Sequence, residues 1–244
     1  MTKARRPTAL LDLDGVLVDN VAFDHEVTAF VVAALASDRG VNELEGRRLW
    51  ESELAATRGD PQWYDYEHHC ARLGLSGDVA RSAHDEALPA LRIVAGATST
   101  LEHIRERGYD VAIVTDAVRW VAQLKLSTFG HVPIDTIFSS DSQASAKSSL
   151  RYWKTIRSRH DIEPVCLVDN RRENLASAVS ALSGIPVVEF HMDEHVTTLS
   201  DAIAPRDSDR SRPSAVGNDR SSVSNHHELR CWLSRVLPRL QVSA

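Results

Sequence analysis

Cysteine, long apolar runs and an excess of basic charge are what this sequence has little of. Cys70, Cys166 and Cys231 are its three cysteines, an odd number with no CxxC spacing. That excludes a disulfide framework, and a reducing, cytoplasmic setting is expected. No run approaches the roughly 20 apolar residues that span a bilayer, so no membrane partner is expected. The stretch after Lys3, Arg5 and Arg6 is interrupted by Asp12, too soon for the apolar part of a signal segment. Basic residues number 28 against 34 acidic ones, with the two signs mixed along the chain. That balance argues against a nucleic-acid partner, which needs a basic face. There is no internal repeat, and nothing fixes an oligomeric state.

What is present suffices for one full core with a smaller attached unit: 244 residues, 43% of them hydrophobic. Residues 8–13, 111–115, 165–169 and 185–190 are short, β-rich apolar runs separated by helical patterns, and 136–139 is a further short strand. Strand and helix alternating in this way predict a parallel sheet with crossovers on both faces. Residues 98–107 and 174–183 read as crossover helices, stopped by Gly108 and by Gly184 with Pro186. From residue 19 to 89 the rhythm changes. Apolar residues recur at helical spacing over 27–35, 44–54, 68–73 and 79–88, which predicts a helical insertion after the first strand. Residues 205–225 are rich in Ser, Arg and Asp and read as a flexible linker. Beyond them, 226–244 is an amphipathic helix with Leu229, Trp232, Leu233, Val236 and Leu237 on one side, to dock on the core or on a partner.

The chemistry starts at "LLDLDGVLVDN", residues 10–20. Asp12 and Asp14, two apart on a strand, leave the same face. Strand ends of a parallel sheet are where ligands bind. Two anions there repel unless a cation lies between them or one holds a proton. A hard cation such as Mg²⁺ prefers such oxygens, and Gly15 lets the backbone turn sharply. The pair suits a carboxylate nucleophile beside a carboxylic acid that passes a proton. Alone, it is equally a strand end capping a turn. "VAIVT" puts Thr115 at a second strand end, "VCLVDN" puts Asp169 and Asn170 at a third, and Lys147 lies between these strands. Lys147 and Thr115 offer the positive charge and donors that anionic phosphoryl oxygens need.

These four stretches, in this order, resemble the four motifs of the haloacid dehalogenase superfamily: "LLDLDGVLVDN", "VAIVT", Lys147 and "VCLVDNRRENLASA". The resemblance implies a Rossmann-like, three-layer α/β core with an inserted α-helical cap. Residues 1–19 and 90–204 would be the core and 20–89 the cap. It also implies that Asp12 attacks the phosphoryl group and that Asp14 protonates the leaving group and then activates water. Thr115 and Lys147 would hold the phosphoryl oxygens, and Mg²⁺ would be held by Asp12, the Asp14 main-chain carbonyl and Asp169. Members that dehalogenate carry an aromatic residue in place of Asp14, because a halide leaves without a proton.

Three positions depart from the family pattern. Asn170 stands where a second acid is common, with Glu173 as a charge nearby. Asp116 follows Thr115, and is expected to point away from the phosphate or to pair with Arg119. Ser148, not proline, follows Lys147. Trp50, Trp63, Tyr64 and Tyr66 are expected to pack between cap helices rather than to form a substrate shelf. Adjacent His68, His69 and Cys70 cannot share a helix face as metal ligands. Arg171 and Arg172 either reach an anionic substrate or form surface ion pairs. No site is expected at His226 and His227, and Cys166 reads as core. The expected activity is an Mg²⁺-dependent phosphatase acting on a small phosphorylated metabolite, a sugar phosphate or nucleotide. The rivals are a phosphomutase with the same residues and a catalytically silent binding protein.

Overall fold

The computed structural model describes residues 6–58, 60–131, 134–159, 162–182, 184–192 and 220–237. Its centre is a sheet of six strands: β1 (Arg6–Leu11), β4 (Asp110–Val114), β5 (Thr136–Phe138), β6 (Ile162–Asp169), β7 (Val187–Phe190) and β8 (Arg220–Val223). They lie in the order β5-β4-β1-β6-β7-β8, and every pairing is parallel. Relabelled along the sheet's own strands, that is the 3-2-1-4-5-6 order of a doubly wound fold, with the reversal between β1 and β6.

Both faces of the sheet are covered, as the continuous apolar runs require. Ala9, Leu11, Val111, Ile113 and Val168 face one core, while Leu10, Ala112, Val114 and Leu167 face another. Helices α5 (Ala97–Glu106), α6 (Arg119–Ser127) and α10 (His226–Val236) contribute to the first core. Helices α8 (Leu150–Arg159) and α9 (Arg172–Ala181) close the second, where Tyr152 and Trp153 are fully buried. This is the three-layer α/β architecture expected. None of the described helices is long and apolar enough to cross a membrane.

The helical insertion is α1 (Val21–Arg39), α2 (Glu43–Ala56), α3 (Tyr66–Arg72) and α4 (Gly77–Ala87). Asn42, Asp65 and Ser76 cap the last three by accepting a main-chain N–H from the first turn. The four helices share a core of their own, built on Phe23, Val27, Val31, Leu35, Trp50 and Cys70. An antiparallel ribbon of β2 (Val18–Asp19) and β3 (Arg92–Ile93) joins the insertion to the sheet at both of its ends.

In the C-terminal part, one feature differs from the sequence reading and one takes the first of the two alternatives that reading left open. Arg220–Val223 falls within the expected linker but forms β8, in parallel register with β7. Its sequence, RSSV, holds one large apolar residue, so alternation gave no signal. The rest of that linker, 205–219, lies outside the described residues, as do 193–204 and 238–244. The C-terminal helix docks on the core and not outward, burying Leu229, Trp232 and Leu233 beside α5 and β8. His226 is buried with it. Its Nε2 meets the Val16 carbonyl at 2.8 Å and its Nδ1 the Thr100 hydroxyl at 3.0 Å.

Candidate active site

The strand ends at the reversal point place the acids. Asp12 follows β1, and its N–H donates to the Val168 carbonyl at 2.9 Å, extending the ladder by one residue. Asp169 ends β6 and is fully buried. Its Oδ1 accepts from the Arg171 N–H at 2.9 Å, and Asn174 Nδ2 donates to both of its oxygens, at 3.1 and 3.3 Å. Between the two acids sits Lys147, its ammonium 2.5 Å from Asp12 Oδ1 and 2.9 Å from Asp169 Oδ2. Three side chains far apart in sequence thus meet because three chain segments end on the same edge of the sheet.

Lys147 is held at both ends of its own residue. Its N–H donates to Asp116 Oδ1 at 2.7 Å, and its carbonyl accepts from the Trp153 indole at 2.6 Å. Asp116 therefore neither points away nor pairs with Arg119; it turns inward because the Lys147 amide supplies a donor there. Arg119 instead donates its N–H to Asp141. Thr115, at the end of β4, is also buried. Its N–H donates to the Phe138 carbonyl at 2.9 Å, and its Oγ1 accepts from the Ala117 N–H at 3.1 Å.

Charge is out of balance on this floor: Asp12, Asp169 and Asp116 surround one ammonium. Burial alone would lower the Lys147 pKa, but the attraction of Asp12, Asp169 and Asp116 outweighs it and pushes the group up, so it stays charged. Burial and then Asp169 push the Asp12 carboxyl well above the usual carboxylate range, against the pull of Lys147. One carboxylate too many is the condition a hard divalent cation relieves, and the donors are all oxygens. Among the described residues no three His, Cys, Asp or Glu side chains cluster as metal ligands. A metal here needs a donor of another kind beside Asp12 and Asp169, such as the main-chain carbonyl of Asp14.

Asp14 itself lies on the wall. The turn after β1 closes through Gly15 N–H to Val18 O at 2.8 Å and Leu17 N–H to Leu13 O at 2.9 Å. Gly15 has φ +78°, and a Cβ there would stand 2.0 Å from Asn170 Nδ2. Its freedom is used for approach to Asn170 as well as for the turn. The Asp14 side chain meets a residue that sequence reasoning missed: Lys125 of α6, buried, with Nζ 2.6 Å from Asp14 Oδ1. A signal existed, since Lys125 falls four residues after Val121 and three after Ala122, on the helix stripe that faces inward. The role of Asn174 was likewise missed: it is buried and bonds Asp169, while Glu173, expected as a charge nearby, is exposed.

A cavity of about 300 Å³ opens above these groups, lined from the sheet side by Asp12, Asp14, Thr115 and Lys147. The insertion lines it with Phe23, Trp63, Tyr64, Tyr66 and His84. The expectation for the aromatics therefore divides. Trp50 packs against Tyr66 with ring centres 5.2 Å apart and is buried, whereas Trp63, Tyr64 and Tyr66 reach the cavity. Burial holds the His84 imidazole down to about 4. The two arginines also divide. Arg171 lines the cavity and donates to the Tyr64 hydroxyl at 3.3 Å, while Arg172 pairs with Glu189 at 2.8 Å. His69 is structural, bridging Glu53 and the Trp63 carbonyl.

The chain is similar in fold to several solved structures. A HAD phosphatase from Thermococcus onnurineus superposes with a TM-score of 0.72 at 21% identity, covering 96% of this chain and 100% of that one. The hydrolase YfnB from Bacillus subtilis, described as bound to magnesium, gives 0.56 at 14% identity, with 94% and 99% covered. L-2-haloacid dehalogenase from Xanthobacter autotrophicus gives 0.54 at 17% identity, with 94% and 98% covered. No curated protein matches the sequence. The model of the haloacid dehalogenase-like hydrolases matches residues 7–181, a span that holds Asp12, Asp14, Thr115, Lys147 and Asp169. The chain belongs to the haloacid dehalogenase-like hydrolases.

Proposed function

We propose that this protein is an Mg²⁺-dependent phosphatase that hydrolyses a small phosphorylated metabolite through an aspartyl phosphate on Asp12. The observation that carries the reading is the Asp14 carboxyl in the cavity wall beside Asp12. A halide leaves without a proton, whereas the oxygen of a phosphate ester needs one, and Asp14 is the acid in place to give it. The fold neighbours include a dehalogenase as well as a phosphatase, so the fold does not choose between them, and Asp14 is what supports the phosphatase reading.

An Asp12 oxygen forms a bond to phosphorus while the ester P–O bond breaks, and the Asp14 proton goes to the departing oxygen. Asp14, now a carboxylate, takes a proton from the water that attacks phosphorus, and the P–O bond to Asp12 breaks to give inorganic phosphate. Lys147 and the Thr115 hydroxyl hold the phosphoryl oxygens. Asp12, Asp169 and the Asp14 carbonyl would hold Mg²⁺, which when bound offsets the negative charge that phosphate adds to this floor. The helical insertion acts as a cap, and a cavity of about 300 Å³ is at the small end of ligand sites. That favours compact sugar phosphates or nucleotides over phosphoproteins.

The test is phosphate release from a panel of phosphorylated metabolites, with and without Mg²⁺. Release that depends on Mg²⁺ supports the reading. An isomerised phosphate ester in its place identifies a mutase, and metal binding with no turnover identifies a silent binding protein.

A further inference from the structure

Lys125 presents a problem that the floor of the site does not. It is 3% exposed, on a helix whose neighbours Val121 and Ala122 are core residues. Lysine is seldom buried unless paired, and a buried ion pair is weak support for a fold, since a well-packed apolar residue serves as well or better. Stability alone therefore gives no reason for an ammonium at this position. Its surroundings are specific. Nζ is 2.6 Å from Asp14 Oδ1, 3.9 Å from Asp24 Oδ1 and 4.9 Å from the centre of the Phe23 ring. Phe23 and Asp24 belong to α1 of the insertion, so Lys125 stands where core, insertion and the proton-transferring carboxyl meet. Among the described residues, Lys125 is the side chain that pairs with Asp14.

We infer that Lys125 is the positioning residue for Asp14: by engaging Oδ1 it fixes the carboxyl plane and leaves Oδ2 to exchange the proton with the ester oxygen and then with water. This rests on the phosphatase reading. It goes beyond that reading in giving the proton transfer a dependence on a helix outside the motifs. Phe23 and Asp24 lie against the same ammonium, so the insertion takes part in setting Asp14.

The experiment compares wild type, Lys125→Met and Asp14→Asn on two esters with Mg²⁺ present. One is p-nitrophenyl phosphate, whose leaving group departs as an anion unaided; the other is the best alkyl ester of the metabolite panel. With Lys125→Met, kcat/KM on the alkyl ester is expected to fall about 100-fold, the low end of what positioned proton transfer contributes. On p-nitrophenyl phosphate kcat/KM should stay within about threefold, while kcat and KM fall together because water attack on the aspartyl phosphate slows. A burst of p-nitrophenol stoichiometric with enzyme would accompany that. Asp14→Asn should show the same split, and adding Lys125→Met to it should cost little more.

Equal loss of kcat/KM on both esters, no loss on either, or a rise in KM alone overturns the inference; the last would make Lys125 a substrate contact. Should Lys125→Met not fold, Lys125→Arg serves. Keeping the wild-type kcat/KM on each of the two esters to within about threefold supports a charge that positions Asp14, and an equal, larger loss on both overturns it. Wild type inert on both esters overturns the phosphatase reading and this inference with it. Wild type active, with both esters affected alike, overturns this inference alone.

Discussion

The floor and the wall of the cavity are built by different means. On the floor, Asp12, Asp169 and Thr115 are strand ends, and each is tied down by main-chain hydrogen bonds. Lys147, in the loop before α8, is pinned through its own amide and carbonyl. On the wall, Asp14, Lys125, Asp24 and Phe23 come from a turn and two helices, and only side chains hold them together. The floor is a product of sheet topology, while the wall depends on how helices from two layers are packed. On the proposed reading, the groups that hold the phosphoryl group are therefore fixed most firmly, and those that face the variable part of a substrate sit on packing that can change without moving the sheet.

The largest expected effect breaks the floor chemically. Asp12→Asn should lower phosphate release by about 10³-fold or more, since it removes the proposed nucleophile. Retained turnover would rule out the covalent route. Stability should not fall in this variant, because burial and Asp169 already disfavour the Asp12 carboxylate. Urea titration of the two proteins checks this.

Lys147→Met breaks the floor electrostatically. It leaves Asp12, Asp116 and Asp169 facing one another without their cation, a loss of about 3–5 kcal/mol when a buried pair is broken on one side. A shift of the urea midpoint reads it. A far smaller shift would mean that the three acids are better solvated than their burial implies.

Acid should separate two other buried regions. His84 in the cavity wall and His226 on the C-terminal helix are both held down to about 4 by burial. Each is neutral in the fold, while in the unfolded chain it gains a proton near pH 6.5. The unfolded state thus binds more protons between those values. The stability these histidines allow is complete above about pH 6.5 and is lost as pH falls toward 4, on the order of 3 kcal/mol for each at most. Urea midpoints measured from pH 7.5 to 4.5 test this, and His226→Gln should flatten part of the slope.

The smallest effect falls at the junction of floor and wall. Gly15→Ala adds a methyl group toward Asn170 at a φ of +78°, a cost of about 1–3 kcal/mol. Asn170→Ala in the same background should recover the steric part and leave the backbone part, which a thermal melt of the three variants resolves.

The same division explains how much the sequence disclosed. Asp12, Thr115, Lys147 and Asp169 were legible because each lies at or between apolar runs whose parallel order brings their ends together. The sheet and the four insertion helices were legible for the same reason, as their periodicities are unbroken. Lys125 was not, since a lysine in "RWVAQLKLSTF" reads as solvated unless the inward stripe is traced through Val121 and Ala122. The inward turn of Asp116 was hidden as well, because the donor that stabilises it is a main-chain amide 31 residues away. β8 was hidden because its strand character comes from pairing with β7 and not from its own residues.

β8 and α10 carry a consequence for where this protein can be cut. The motifs end with α9 near residue 181, so a fragment that stops there would still contain every group proposed for the reaction. It would be a poor protein. Without Val187–Phe190 and Arg220–Val223, the strand β6 becomes an open rim of unpaired amides and carbonyls, the kind of template on which chains add to one another. Without Trp232, Leu229 and Leu233, the apolar side of α5 is uncovered next to it. The stretch that carries the proposed chemistry and the stretch that closes the sheet and its core are different lengths of chain, and the second reaches at least to Leu237, which is buried in the same core.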